Sequence, residues 1–501
     1  MFPEIRSPVA YRHQGRHYRQ RAFDPHDTVH ENTGMRSAPQ SPTEYIPVAK
    51  SPCDTTDFAV MFRHLFRKRI NRKQKKYFCS YPCLGILPDE KPACTLVAFS
   101  TLASYRYTAY TMFSIIWFPA IISISAGYFF MSVAPLSTQF MSLFGIGYAG
   151  LSLFLSGLLW SHSLVQLPAG LILDKIGVYR GFLIAIAIAV VANCLPFVAP
   201  DNPMLATGLR FMAGLSSGTL FLAGVKVTGM LAPPEKVAQA QGIQGAAFCL
   251  GTMLPFVTLP YLGDQAWRFS YLIPAALAVT VTVLSLFLPA HIRKNASTAS
   301  GSLSNLLQAL RTVSTSVPIW ALGMFHGLSY GTLNNLGQWL PSILADMDET
   351  STAMTWSLAT GFVLLAGTLG RAYGSTLLRW FSRSWITNTA VLTIGILYIV
   401  LGLTGHPGIG LAVGMSLAIL GGSNYGSIFS LTGSVMSPVY LATAAGFMNM
   451  IANIANVMLT LVLGTVREYT GSFSMALCAT GIFALLVWLA GKRIITGLQK
   501  K

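Results

Sequence analysis

The sequence predicts an all-α membrane protein of about twelve transmembrane helices in two six-helix bundles, and three observations support that fold class. Of its 501 residues, 53% are hydrophobic and 10% are charged, whereas soluble domains carry about 25% charged residues. The segments 107–173 and 384–466 contain no Lys, Arg, Asp or Glu, so each can hold several spans of about 20 residues. Finally, loop residues and charges divide the body of the chain into two sets of six apolar segments.

The first 106 residues have a different composition from the body. They contain 17 Lys and Arg and 9 Asp and Glu, against 17 and 8 in the remaining 395 residues. Residues 1–60 are rich in Pro, Ser, His and Arg without apolar periodicity, which predicts disorder. Residues 61–76 include eight basic side chains, and we expect them to lie on anionic lipid rather than on nucleic acid, because a membrane body follows. No cleavable signal is recognised in this tail, so insertion is expected to depend on the later helices.

The body divides into an N-terminal six-helix bundle (107–290), a polar cytoplasmic linker (291–316) and a C-terminal six-helix bundle (317–495). Glycine, proline and charged residues mark the ends of each apolar segment. The predicted spans are 110–132, 149–170, 181–199, 205–230, 238–262, 269–290, 317–344, 352–374, 385–404, 409–433, 441–466 and 474–491.

The distribution of basic residues predicts the orientation. With the tail inside the cell, twelve Lys and Arg residues of the body fall on inner loops, whereas Arg268 and Arg467 fall outside. The protein is therefore expected in the cell membrane with both termini cytoplasmic. The sequence Asn295-Ala-Ser297 matches a glycosylation acceptor but lies on the inner linker, so we expect it to remain unmodified.

Metal and catalytic sites are not predicted. Cys79-x3-Cys83 has no histidine at zinc-finger spacing, so neither a metal ion nor another cofactor is expected. Gly214-x-Ser216-x-Gly218 matches the pattern of serine hydrolases, which would make an intramembrane protease the rival from the enzyme class. That pattern requires a sharp turn after a strand, whereas these residues lie inside a predicted helix. We expect no catalytic residues.

The turn between the second and third spans contains the most specific motif. It has the order G-x3-D-K-x-G-x2-R, formed by Gly170, Asp174, Lys175, Gly177 and Arg180. This order resembles the loop between helices two and three of the major facilitator superfamily. Other parts of 107–495 are similar to the same family: Arg210-x3-Gly214-x3-Gly218 in span four, Trp267-Arg268 before span six, and Gly367-x2-Gly370-Arg371-x2-Gly374, which looks like a second copy of the loop without its Asp.

The resemblance implies a mechanism. Transporters of this family have two halves that rock about a central site, which opens alternately to each side. By resemblance, Asp174 would latch the outward-open state against the cytoplasmic end of span eleven, near Ser437-Pro438. The antiporter signature of span five is poorly matched by Gly245-x5-Gly251-x3-Pro255, so drug–proton antiport is disfavoured.

Polar side chains form stripes on the predicted helices seven and eleven, because residues spaced by three or four lie on one helix face. Such residues either line a substrate cavity or form interhelical hydrogen bonds, which contribute only about 0.6 kcal/mol each. The resemblance places spans one, four, seven and ten at the core, which adds two residues of span ten. The candidates are His326, Tyr330, Asn334 and Gln338 in span seven, Asn424 and Tyr425 in span ten, and Asn449, Asn453 and Asn456 in span eleven.

Three further candidates lie in the first half: His162, Arg210 and Gln244. Arg210 either binds backbone carbonyls or contacts the substrate or a coupling ion, since an unpaired cation inside a bilayer costs about 2.5 to 3.5 kcal/mol. No acid is expected deep in the bilayer, so proton coupling would require His162 or His326. The sequence thus predicts a monomeric transporter in the lipid bilayer, either secondary active or facilitative, that moves a small neutral or anionic solute with a possible coupling ion. The alternative is a transporter-like receptor without net transport.

Overall fold

A computed structural model describes residues 117–232, 237–288, 290–294, 303–348, 350–437 and 439–498. All regular secondary structure in these ranges is helical. The predicted tail (1–106) with its basic segment and cysteines, the acceptor Asn295 and Pro438 lie outside the described residues. The backbone of Asp174 is described within a helix, and its side chain is not.

The described residues form twelve long helices in the predicted order. The break at Asn424 divides α10 into two parts, and shorter helices occupy Ser137–Phe144, Ala290–Lys294 and Leu303–Ser314. The long helices are α1 Phe118–Met131, α2 Tyr148–Ile176, α3 Val178–Cys194, α4 Pro203–Leu231, α5 Val237–Thr258, α6 Ala266–Ser285, α7 Val317–Met347, α8 Ala353–Tyr373, α9 Arg383–Leu403, α10 Pro407–Ser423 with Tyr425–Val435, α11 Leu441–Thr470 and α12 Ser474–Gly497.

Most of these helices are long and apolar enough to cross a bilayer. Ten segments of the described chain meet that description, and one of them, Ala240–Ser285, contains α5 and α6 together. Helix α7 is not among the ten, because its buried His, Ser, Asn and Gln residues lower its mean hydropathy. The polar face of α7 must therefore be buried against protein rather than exposed to lipid.

Short turns make consecutive helices antiparallel, so their ends collect at two ends of the molecule. Gly177, with φ of 90°, separates α2 from α3, a conformation that glycine adopts without strain. We call this side the Gly177 end and the opposite side, where α2 begins, the Tyr148 end. Side-chain caps at Asn202 and Ser382 accept hydrogen bonds from Leu205 N and Trp385 N and fix the starts of α4 and α9.

Small residues allow the helices to approach closely. A Cβ atom at Gly127 of α1 would collide with the carbonyl oxygen of Phe248, and one at Gly251 of α5 would collide with that of Ile124. These glycines therefore permit backbone contact between α1 and α5, as small residues do in membrane helix pairs. Two other helix pairs, α2 with α11 and α5 with α8, join the first six helices to the last six.

Candidate functional site

A small polar cavity lies where α5 meets α7 and α8. It has a volume of about 20 Å³, and its lining includes Cys249 of α5, Tyr330 and Asn334 of α7, and Arg371 of α8. This volume is close to the minimum that a single water molecule needs. We call this cavity the central cavity. Binding of a solute larger than a water molecule there would therefore require the surrounding helices to move apart.

Arg371 provides the positive charge of the central cavity. Its guanidinium carbon lies 3.6 Å from the centre of the Tyr425 ring, which is the geometry of a cation–π contact. Its Nη1 lies 3.5 Å from Sγ of Cys249 on α5. Among the residues that the structure describes, no carboxylate forms an ion pair with Arg371. A guanidinium therefore spans the contact between the two sets of six helices without an acidic partner on the described side chains.

His326 lies beside this cavity in an aromatic cluster. Its ring centre is 5.6 Å from that of Tyr330 and 5.0 Å from that of Phe429. Its Nε2 lies 3.4 Å from Oδ1 of Asn449, whose Nδ2 donates to Oε1 of Gln166 at 2.5 Å. A polar chain thus runs from α7 through α11 to α2, and Nδ1 of His326 is buried without a partner.

The remaining amides of the two stripes mainly bond helices to each other. Asn335 Nδ2 donates to Oδ1 of Asn456 at 2.5 Å, and the Thr460 hydroxyl donates to Oε1 of Gln338 at 2.9 Å. In the same manner, Asn424 donates to the Ser329 hydroxyl at 2.8 Å. These bonds tie α7 to α10 and α11.

Three stripe amides retain unpartnered atoms, and one of these is Nδ2 of Asn456. Asn453 donates to the Asn449 carbonyl at 2.8 Å, while its own Oδ1 has no partner. Asn334 keeps an unpartnered Nδ2 and lines the central cavity. Asn334 and Arg371 therefore line the same cavity.

The candidates of the first half lie away from the central cavity. Arg210 donates to the carbonyl oxygens of Phe129 at 3.1 Å and Phe130 at 3.4 Å, which are the last turn of α1. Gln244 accepts from the Thr228 hydroxyl at 3.2 Å and donates to the Phe221 carbonyl at 3.2 Å. His162 packs edge-on against the Phe130 ring with centres 5.1 Å apart.

We expect Arg210→Met to lower stability without changing substrate affinity. Methionine fills similar space but leaves the two α1 carbonyls without their donor, which costs roughly 1 to 3 kcal/mol for a buried pair. Thermal unfolding of the purified protein in detergent, together with a binding isotherm on the folded fraction, measures both quantities. A weakened Kd at unchanged melting temperature would instead place Arg210 at the substrate.

The predicted gating motif lies at the Gly177 end. Lys226 of α4 donates from Nζ to the carbonyl oxygen of Gly170 at 2.9 Å, and the side chains of Lys175 and Arg180 are exposed. Because the side chain of Asp174 is not described, its latch with the start of α11 remains a prediction.

At the Tyr148 end, α11 contacts the start of α2. Glu468 Oε2 accepts hydrogen bonds from Tyr148 N at 2.6 Å and Ala149 N at 3.4 Å. Arg467 forms two bonds to Asp346 of α7, at 2.7 and 3.1 Å, and its guanidinium carbon lies 4.8 Å from the Tyr148 ring centre. We call these residues the Tyr148-end bridge, because they connect α2 to α7 and α11.

Sequence reasoning missed the position of Arg371. It lies inside the predicted span 352–374, as it lies inside α8 in the structure, but it was noted only as part of a motif similar to the gating loop and not as a candidate for the cavity. A basic residue one turn before a loop is usually solvated, so only the packing of α8 on α5 reveals its role. Gln166 and Asn335 were also missed, although each is a polar residue in an apolar span, the signal by which the other amides were chosen.

The rival hydrolase pattern lies in a different environment. Ser216 sits inside α4, and its hydroxyl donates to the Ala185 carbonyl of α3 at 2.7 Å. A Cβ at Gly214 would collide with Ser161 and the Leu158 carbonyl of α2. These small residues pack α4 against its neighbours. Ser216 lies inside a continuous helix, whereas a nucleophilic serine of this pattern requires a sharp turn from a strand to a helix.

The fold is shared with solved transporters. The nucleoside transporter NupG superposes with a TM-score of 0.63 at 16% identity, covering 75% of this chain and 98% of that one. A D-xylose–proton symporter superposes with a TM-score of 0.60 at 14% identity, covering 75% of this chain and 97% of the other. These similarities confirm the predicted all-α membrane fold.

Sequence comparisons give the family. The uncharacterized transporter YybO of Bacillus subtilis is 24% identical over 394 residues, which cover 68% of this chain and 84% of that protein. The probable sulfoacetate transporter SauU of Cupriavidus necator is 24% identical, covering 70% and 85%, and the hexuronate transporter of Escherichia coli is 21% identical, covering 66% and 82%. The sequence profile of the Major Facilitator Superfamily matches residues 116–460. The chain therefore belongs to the Major Facilitator Superfamily and is an integral, multi-pass membrane protein that transports small solutes.

Proposed function

We propose that the protein transports a small organic anion, with Arg371 as the cation that binds the anionic group. The observation that carries this proposal is the guanidinium of Arg371 at the central cavity, with Tyr425 beneath it and without an ion pair to any described carboxylate. A buried cation is costly unless a counter-charge is available, and a substrate carboxylate or sulfonate would supply that charge. Guanidinium is also the side chain whose forked donors match such oxyanions.

The relatives support the same substrate class. Two of the proteins similar to this chain are named as transporters of sulfoacetate and of hexuronate, and both of those solutes carry an acidic group. The neighbouring polar groups suit the rest of such a molecule, because Asn334 has a free donor at the cavity and Tyr330 lines it.

The proposed mechanism is alternating access between the halves 107–290 and 317–495. Arg371 lies on α8, and Cys249, whose Sγ is 3.5 Å from its Nη1, lies on α5, so a bound anion would contact both halves. Separation of α5 from α8 at the Gly177 end would open the cavity, while the Tyr148-end bridge keeps the opposite side closed. In the proposed orientation the Gly177 end is cytoplasmic, as the basic loops predict.

Coupling to a proton would involve His326 rather than His162. His326 adjoins the cavity and contacts Asn449, whereas the neighbours of His162 include the rings of Phe130 and Phe248. This assignment rests on the prediction that no acid lies deep in the bilayer and on the position of His326 beside Tyr425.

Uptake into proteoliposomes tests the proposal. We expect liposomes that contain the purified protein to take up radiolabelled carboxylates or sulfonates and not to take up the matching neutral alcohols or amides. Equal uptake of neutral and anionic members of each pair would contradict the assignment of an anion.

The alternative function is a receptor that binds a solute without moving it. Saturable binding in detergent together with no flux across a broad panel of solutes in liposomes would favour that class. The family membership and the cavity at the contact between the two halves favour transport.

A further inference from the structure

A second cavity lies at the Gly177 end between the start of α9 and the end of α12. Its volume is about 610 Å³, and Trp385, Asn388, Trp488 and Lys492 are among the residues that line it. It is separate from the central cavity and does not lie at the contact between the two halves, because α9 and α12 are both among the last six helices. The proposed transport cycle makes no use of it.

This α9–α12 cavity combines cations with unpartnered polar atoms. Lys492 lies with its Nζ 4.4 Å from the Trp488 ring centre, and the exposed Arg493 adds a second cation to the lining. Nε1 of Trp488 is buried without a hydrogen-bond acceptor, and Oδ1 of Asn388 is buried without a donor. The described lining contains no acidic residue. The cavity therefore offers two positive charges to an anion, and the two unpartnered polar atoms are buried in its walls.

The position of the cavity favours a lipid as the source of that anion. Its walls carry Trp385, which is half exposed and stacks on Phe381 with ring centres 4.2 Å apart, and tryptophan concentrates at the level of lipid headgroups. Beyond it along α12, Leu486 and Leu489 are exposed, as expected for a surface covered by acyl chains. Basic pockets between helix ends on the cytoplasmic side are suited to phospholipid headgroups.

We propose that the α9–α12 cavity binds the headgroup of an anionic phospholipid, such as phosphatidylglycerol. Lys492 and Arg493 contact the phosphate. The acyl chains extend along the apolar face of α12. This site is independent of the transported solute, so it stands or falls separately from the proposed function.

Quenching of tryptophan fluorescence by brominated lipid tests the proposal. The full-length protein is reconstituted in phosphatidylcholine with increasing fractions of brominated phosphatidylglycerol, and the quenching gives the relative affinity of the two lipids. We expect the wild type to prefer phosphatidylglycerol, with roughly fivefold less preference for each cation removed in Lys492→Gln and Arg493→Gln. Lys492→Arg should restore most of it, because the charge returns.

The matched control is Arg311→Gln, which removes one exposed cation of the linker helix Leu303–Ser314 and should leave the preference unchanged. Absence of a preference in the wild type, or an equal loss in Arg311→Gln, would overturn the site. Displacement of brominated lipid by millimolar glycerol 3-phosphate would assign the cavity to a soluble phosphate instead. Because Arg493 is exposed, Arg493→Gln keeps the test informative even where Lys492→Gln fails to fold.

Discussion

Replacing Arg371 with Gln is expected to weaken binding of the organic anion roughly 10- to 150-fold and to reduce uptake in proportion. A hydrogen bond to a charged group contributes about 1.5 to 3 kcal/mol, and glutamine retains a donor but loses the charge. The effect should be largest for this residue because no other cation borders the central cavity in the described part of the chain. The affinity of Arg371→Lys for the anion should lie between those of the wild type and Arg371→Gln, since an ammonium keeps the charge and loses the forked geometry.

Isothermal titration with wild type and variants measures this effect. Arg268→Gln is the matched control, because the guanidinium carbon of Arg268 lies 5.3 Å from the Trp267 ring centre at the Tyr148 end and Arg268 does not line the central cavity. A neutral analogue of the substrate should bind Arg371→Gln as it binds the wild type. If the anion bound Arg371→Gln with unchanged affinity while Arg268→Gln weakened it, the substrate site would have to be sought elsewhere.

The second large effect is expected at the Tyr148-end bridge. We predict that Glu468→Gln raises the population open at this end roughly 2- to 30-fold, because a carboxylate at a helix N-terminus contributes about 0.5 to 2 kcal/mol. In the wild type that carboxylate accepts from the first amides of α2, a bond that must break when the halves separate there. Glutamine keeps an acceptor oxygen but loses the negative charge.

A cysteine introduced at Ser152 reports the opening. Ser152 is buried on α2 and would touch any Cβ added at Gly464 of α11, so a membrane-impermeant thiol reagent reaches it only when these helices part. In a background lacking the native cysteines, we expect faster labelling in Glu468→Gln. Asp348→Asn is the control, since the carboxylate of Asp348 accepts hydrogen bonds from Thr350 and Ser351 in its own turn. Unchanged labelling in Glu468→Gln, or equal acceleration in Asp348→Asn, would mean that the bridge does not hold this end closed.

The position of Arg371 shows where prediction from sequence was limited. Its helix was predicted at 352–374 and observed at Ala353–Tyr373, yet Arg371 was noted only as part of a motif similar to the gating loop and not as a candidate for the cavity. The amide stripes illustrate the same limit, because Asn334 and Gln338 recur on one face of α7 with opposite surroundings. Asn334 lines the central cavity, whereas Gln338 accepts from Thr460 of α11. Spacing gives the helix face, but the partner on the neighbouring helix decides between cavity and hydrogen bond.

The sequence alone determined that the body of this protein lies in a membrane, and it also determined the number and order of the helices and the family. Those properties follow from local hydrophobicity and from a short motif around Asp174, and both signals can be read from residues that are close together in the sequence. Tertiary structure decided which polar groups meet: Arg371 with Cys249 and Tyr425, and Glu468 with the start of α2. These contacts join helices distant in sequence, and a single apolar helix can be rotated in the bilayer at little cost. Packing of the twelve helices against each other fixes those rotations, and with them the sites.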